Sequence, residues 1–380
     1  MQSPPGASAV IDGRRYLYFV GTGYLGLQGH AEVIRAATEA ARQYGAGSAT
    51  TRAGFGTTPP LQDVERRAAE LLAAESVFYF PSGYVGDSLL LAALADAFDA
   101  VFVDELSHYC LIEAAQQSGR PVFRFAHCDP QALQASLQAN LPPRGRPLLL
   151  SDGVFAARGD IAPVAEYHRI LGNYPGAILV LDDAHATGVL GVAGRGAFEY
   201  AGLADRGSID ARVNDLPDAR GAGPSLFFSS TLSKALGGYG GIVPGTGRWI
   251  EHVKATSHWY EGASPLPAMV AAASARALEL VLADPGLRER LAGNVRALKS
   301  GLRGLGLDVD QTPVPIICLS LGTADNMRRI QAALQEQGIL VAYMPAYAGL
   351  GSQGALRLAV FATHTAEMIE TLCDHLRPLL

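Results

Sequence analysis

Five short β-rich runs, set among longer Ala- and Leu-rich runs, limit most strongly what this chain can fold into. They are Val77–Phe80, Ala100–Val103, Pro147–Ser151, Ala177–Leu181 and Leu226–Ser229. Around them lie helical runs at Ala31–Gln43, Leu61–Leu72, Gly86–Ala97, Ile112–Gln117, Pro130–Ala139 and Ala162–Leu171. Strands alternating with helices argue for an α/β sheet domain. From about Pro267 a helical run reaches Gly301. Then come Ile316–Leu319, helix Asn326–Gln337, strands Ile339–Val341 and Leu356–Phe361, and helix Ala366–Leu376. This tail reads as a smaller C-terminal α/β domain. The expected division is an N-terminal segment 1–30, a large domain 31–266 and a small domain 267–380. The charged stretch Asp205–Arg220 reads as a surface loop.

Composition excludes several classes. Apolar residues are 49% and charged residues 17%, which rules out disorder, collagen and coiled coil. The net charge of −6 shows no basic excess, so no nucleic-acid partner is expected. No apolar run approaches the ~18 residues of a membrane helix. The start, MQSPPGASAVIDG, lacks a basic-then-apolar signal pattern, so a cytoplasmic protein is expected. Cys110, Cys128, Cys318 and Cys373 stand far apart, so neither a metal site nor a disulfide framework is expected.

Gly21-Thr22-Gly23-Tyr24-Leu25-Gly26 spells G-x-G-x-x-G after the apolar run Tyr16–Val20. A dinucleotide fold would need a second strand ending in Asp or Glu after the next helix. Gly-Ala-Gly-Ser-Ala-Thr-Thr-Arg follows instead, so the segment reads as a turn leading into the first helix.

The polar clusters that follow the β-rich runs carry more chemistry. Lys234, one of three lysines, sits between the hydroxyls of Ser229-Ser230-Thr231-Leu232-Ser233 and the glycines at Gly237-Gly238-Tyr239-Gly240-Gly241. A lysine amine with a lowered pKa forms a Schiff base with a carbonyl cofactor. The hydroxyls suit a phosphate, and the glycines permit close backbone approach. Strand Ile178–Leu181 ends in Asp182-Asp183-Ala184-His185, on the active edge of an α/β sheet. A buried carboxylate there keeps a pyridine nitrogen protonated, though Asp183 reads equally as a helix N-cap. Phe80-Pro81-Ser82-Gly83-Tyr84 opens a helix, whose free N–H groups bind phosphate. Asp104-Glu105-Leu106-Ser107-His108 places a histidine where it can stack on a planar ring.

These motifs, in this order, resemble fold-type I pyridoxal-phosphate (PLP) enzymes, and within them the α-oxoamine synthases. The resemblance runs from about Tyr16 to the C-terminus. It implies a mainly parallel central sheet with flanking helices, a homodimer with the site at the interface, and PLP as cofactor. It implies that Lys234 forms the Schiff base and moves the α-proton. Asp182 pairs with the pyridine nitrogen, His185 bonds the ring hydroxyl and His108 stacks on the ring. Ser82, Gly83, Tyr84 and Thr231 hold the phosphate. Ser264 matches a segment that reaches a neighbouring subunit's phosphate. Arg357 matches the arginine that grips the amino-acid carboxylate, and Thr22 falls in the family's substrate segment.

The implied reaction condenses an amino acid with an acyl-CoA thioester, as 8-amino-7-oxononanoate synthase does. The alternative is a class I/II aminotransferase on the same fold. The chain departs from the family pattern at Thr57-Thr58-Pro59-Pro60-Leu61, which lacks a histidine, and at four further places. Thr22 replaces an asparagine, Ala156 a serine, Asp152 a glutamate and Gly349-Leu350 a Val-Pro pair.

Overall fold

Two N-terminal strands, β1 (Ser8–Ile11) and β2 (Arg14–Tyr18), pair antiparallel around a two-residue turn. Asp12 and Gly13 both hold positive φ there, 49° and 75°, as a tight hairpin requires. The central sheet is built from β3 (Ser76–Phe80), β4 (Ala100–Asp104), β5 (Val122–Phe125), β6 (Pro147–Asp152), β7 (Ile178–Asp182), β8 (Ser225–Thr231) and β9 (Gly241–Gly245). Their order is β3-β9-β8-β7-β6-β4-β5, and β9 runs antiparallel to its neighbours. The computed structural model describes residues 1–204, 215, 223–345 and 349–380. The loop expected at Asp205–Arg220 lies, except for residue 215, outside the described residues.

Alternation along each strand decides which face a side chain serves. Phe78, Val101, Leu148, Val180, Phe227 and Val243 bury themselves on one face of the sheet. Helices Gly86–Ala93, Tyr109–Gln117 and Gly247–Thr256 cover that face through Leu90, Leu111 and Trp249. Tyr79, Phe102, Leu149, Leu179, Phe228 and Ile242 face the other side, under Pro59–Leu72, Pro130–Asn140, Val164–Leu171 and Ala268–Ala283. Each large apolar side chain so buried contributes about 1.5–3 kcal/mol. The mainly parallel sheet between helices agrees with the expected fold.

Five of the seven central strands fall where the sequence places them. The edge strand β5 reads Val-Phe-Arg-Phe and is half exposed, so its apolar signal is weak. β9 reads Gly-Ile-Val-Pro-Gly, a composition that argues against a strand. The helical run after Pro267 divides at Asp284-Pro285 into Ala268–Ala283 and Gly286–Gly304, because proline cannot continue a helix.

The C-terminal part adds β10 (Ile316–Leu319), β11 (Ile339–Leu340), β12 (Ala342–Met344) and β13 (Ala355–Ala359). The single strand expected at Ile339–Val341 is instead β11, with β12 following Val341 in another sheet. β10-β13-β12 form one antiparallel sheet, whereas β11 pairs parallel with β2. The main chain of Phe19 and Tyr24 accepts from Ala359 and Ala362 at 2.8 and 2.7 Å. The first 25 residues are therefore tied to the C-terminal part.

Candidate active site

The carboxyl ends of β3, β4, β6, β7 and β8 converge on one edge of the sheet. β4, β6, β7 and β8 end there in Asp104, Asp152, Asp182 and Thr231, and Ser82 follows the end of β3 by two residues. Asp152 and Asp182 are register partners on β6 and β7, and Asp182 is paired with Ser229 on β8. Above this edge lies a cavity of about 320 Å³. Eight of the expected site residues line it: Ser82, Gly83, Tyr84, His108, Asp182, His185, Thr231 and Lys234.

The Ser82 hydroxyl accepts the Tyr84 N–H at 3.3 Å and so starts the turn Gly83–Val85, which runs on into helix Gly86–Ala93. At Gly83 an added Cβ would stand 2.7 Å from the Thr231 Cβ. Only glycine lets this helix start approach the end of β8. Thr231 donates to the Gly240 carbonyl at 2.8 Å and accepts the Ser233 N–H at 3.1 Å, closing the turn that carries Lys234. Gln28 donates to the Lys234 carbonyl at 2.8 Å. Burial depresses the Lys234 amine below the ordinary lysine value, opposed by the nearby charges of Asp182 and Asp152.

Asp182 accepts the Ala184 N–H at 2.8 Å through Oδ1 and the Cys110 thiol at 3.4 Å through Oδ2. Behind it Asp87, fully buried, accepts the Ser229 hydroxyl at 3.1 Å. Burial and the Asp182 charge push Asp87 well above the usual carboxylate range, and Asp152 likewise. His108 N-caps helix Tyr109–Gln117 by accepting the Cys110 N–H, and it meets the Tyr84 ring edge-on at 5.9 Å. Burial lowers the pKa of His108. It lowers that of His185 further, with help from the Lys234 and Arg357 charges, so His185 is neutral. Its Nδ1 lies 2.8 Å from the Tyr24 hydroxyl.

Three expected residues do not line the cavity. Arg357, buried on β13, donates from Nε to the Ala156 carbonyl at 3.0 Å and from Nη1 to Gly21 at 3.4 Å. Thr22 is half-buried beside that contact. Ser264 is exposed. Asp183 is not the N-cap that the sequence allowed: Gly196 holds that position in helix Ala197–Tyr200, and Asp183, 14 residues earlier, accepts the Ala197 N–H at 3.0 Å. Burial pushes its carboxyl up to about 8. Gly21 and Gly26 turn with φ of 86° and 72°, so the G-x-G-x-x-G segment is a turn, as expected.

Sequence reasoning missed Tyr24, Cys110 and Asp87. Cys110 follows His108 by two residues, and Asp87 interrupts an apolar helix, which is a signal for a buried carboxyl. Tyr24 carries no polar signal in its run.

A family model for aminotransferases of class I and II matches residues 22–376. The chain is 33% identical to an 8-amino-7-oxononanoate synthase of Citrifermentans bemidjiense over 96% of its own length and 89% of that protein's. It is 32% identical to the Pseudomonas putida enzyme of the same name, over 99% and 91%. Among solved structures, a serine palmitoyltransferase of S. paucimobilis with bound PLP is 27% identical, at TM-score 0.88, covering all of this chain and 91% of that one. An 8-amino-7-oxononanoate synthase of Francisella tularensis shares the fold at 23% identity and TM-score 0.76, over 96% and 97%.

Proposed function

We propose, from the premise that the chain belongs to the aminotransferase class I and II family and within it to the α-oxoamine synthases, a specific division of labour for its residues. The chain is a PLP-dependent enzyme that condenses an amino acid with an acyl-CoA thioester, like an 8-amino-7-oxononanoate synthase. The donor set fits that cofactor. One cavity gathers a lysine amine, a carboxylate, two imidazoles and a hydroxyl-lined helix start. The observation that carries the reading is Lys234 and Asp182 facing one cavity, each placed by the end of its own strand.

PLP, when bound, supplies a carbonyl that takes up an amine and a ring that accepts the electron pair left on the α-carbon. Ser82, Gly83, Tyr84 and Thr231 hold the phosphate. Asp182 keeps a proton on the ring nitrogen, because a carboxylate in this enclosed site favours the charged ring. His185 and His108, which both line the cavity, would hold the ring, the first by a hydrogen bond and the second by stacking. Lys234, with its depressed pKa, presents a neutral amine that can add to a carbonyl and then carry the α-proton. Arg357 grips the substrate carboxylate as a planar two-pronged donor, beside Thr22. The reading extends to a cytoplasmic homodimer in which Ser264 serves the neighbouring subunit's phosphate. Exposed Tyr84, Tyr109 and Tyr239 at or near the cavity support that interface. Among the described residues no helix is long and apolar enough to cross a membrane. The domain division 1–30, 31–266 and 267–380 stands as part of the same proposal.

The test loads the protein with PLP and supplies glycine, alanine or serine with a panel of acyl-CoAs. Release of free CoA thiol that needs both substrates is the expected result. A keto acid formed without thiol release would make the protein an aminotransferase.

A further inference from the structure

We infer that His127, bonded through both ring nitrogens to carboxylates, is a positioning residue that holds the loop 154–161 where its Ala156 carbonyl aims Arg357. The inference rests on the reading of Arg357 as the carboxylate-gripping residue. Nδ1 of His127 lies 2.9 Å from Asp104 Oδ1, and Nε2 lies 3.3 Å from Asp160 Oδ2. The ring also stands edge-on to Phe155, with centroids 4.4 Å apart. The proposed reaction assigns this histidine no step.

A carboxylate oxygen only accepts, so both ring nitrogens donate and the ring carries a positive charge. Both carboxyl groups have further donors, which favour a carboxylate over a carboxylic acid. Asp104, fully buried at the end of β4, takes the N–H groups of Leu106 at 2.9 Å and Cys128 at 2.8 Å. Asp160 pairs with Arg158 at 2.9 Å. Glu105 accepts the main-chain N–H of His127, the Cys128 thiol faces the ring, and His108 and Asp152 line the same small cavity. Burial alone would lower the pKa of His127, but the bonds to Asp104 and Asp160 outweigh it and raise it to about 11.

The cation joins two loops. On one side Asp104 ties it to the turn that carries His108, where the Ser107 N–H meets the Asp104 carbonyl at 3.1 Å. On the other side it grips the loop 154–161 near both ends. Phe155 packs against the ring, Asp160 bonds it, and the Phe155 N–H donates to the Asp160 carbonyl at 2.9 Å. Val154 and Ile161 close the loop as an antiparallel bridge. Ala156 stands between the two grips, and its carbonyl takes Arg357 Nε at 3.0 Å. That bond orients the guanidinium plane, and a two-pronged donor meets a carboxylate well only when its plane is set.

The experiment uses PLP-loaded protein. ¹⁵N-labelled histidine reports on the ring, the His127 signals being assigned by their loss in His127→Gln or, should that variant not fold, by their shift in Asp160→Ala. In the unmutated protein both ring nitrogens are expected to stay protonated from about pH 6 to about pH 9, above the ordinary histidine value of 6.5. Loss of one proton within that range overturns the inference. Titration of the visible band then gives affinities for glycine and for methylamine, which lacks the carboxylate. His127→Gln is expected to bind glycine about tenfold more weakly and to keep PLP and methylamine affinity within about twofold. Asp160→Ala, which cuts the same bond at a half-buried position, is expected to show the same selective loss. Equal losses for glycine and methylamine would make the histidine merely structural and overturn the inference, as would unchanged glycine affinity in both variants. If the unmutated protein shows no visible absorption change with either amine, the functional reading itself fails and the inference falls with it.

Discussion

The main-chain N–H of His108 donates to Asp152 Oδ2 at 3.0 Å, so the histidine beyond β4 is held by the carboxyl at the end of β6. The neutral carboxyl group favoured by burial still accepts such a bond. Asp152→Ala removes the acceptor and leaves a largely buried N–H unsatisfied, a loss of about 1–3 kcal/mol. PLP affinity, read by titrating the visible band, is expected to fall about tenfold or more. Asp152→Asn keeps an acceptor of the same shape and is expected to stay within a few-fold of the unmutated protein.

In the proposed mechanism Lys234 would supply a nucleophile only as the free amine. Lys234→Ala is expected to lower turnover by ~10²–10⁴-fold or more, since it removes the proton carrier along with the nucleophile. The depressed pKa sets a pH dependence. The rate of PLP uptake rises with pH as the amine loses its proton, and levels off below 10.5, the ordinary lysine value. Stopped-flow absorbance across pH checks the plateau; one that lies at the ordinary value refutes the burial argument.

Gly83→Ala tests the closeness of the helix start to β8. A Cβ there meets the Thr231 Cβ at 2.7 Å and its hydroxyl at 3.0 Å, so the turn must move away. Overpacking of this kind costs about 1–3 kcal/mol. PLP binding is expected to weaken about tenfold, with a lowered melting temperature. Unchanged binding would mean that the phosphate is held elsewhere.

Asp183 gives stability a pH dependence of known sign. Its carboxyl is raised to about 8 from an ordinary 3.8, because burial outweighs the Ala197 N–H bonds. The folded state therefore holds its proton where the unfolded state has lost it. This contribution is complete below about pH 4 and is lost as pH rises through about 8. Asp183→Asn, neutral at every pH, is expected to flatten that loss in urea unfolding curves taken between these limits.

The legible part of the fold was the part buried on both faces. β4, β6 and β7 read as strands because helices cover them above and below, leaving no polar alternation. β5 and β9 were hidden by edge exposure and by glycine and proline. In the site, Asp182, Lys234 and His108 stood out because each polar group follows soon after an apolar run. Tyr24 did not, because its partner His185 lies 161 residues away and only the closed fold brings them together. Asp87 signalled a buried carboxyl in an apolar helix, but its partner Ser229 lies 142 residues away. Arg357 was legible by motif alone. Its placement against the Ala156 and Gly21 carbonyls, outside the cavity lining, is tertiary information.

The pairing of β2 with β11, and of Phe19 and Tyr24 with Ala359 and Ala362, has a consequence for the order in which the chain is made. Synthesis proceeds from the N-terminus, at about 5–20 residues per second. The segment carrying Tyr24 emerges before the central sheet, while its partners emerge after it. For some tens of seconds the nascent chain holds an unmatched β-hairpin, and the central sheet is complete before that hairpin can dock. The pairing that holds Tyr24 is thus finished only after the C-terminal strands have emerged. A chain cut short by even a few dozen residues would keep the sheet that carries Lys234 and lack the clasp that fixes Tyr24.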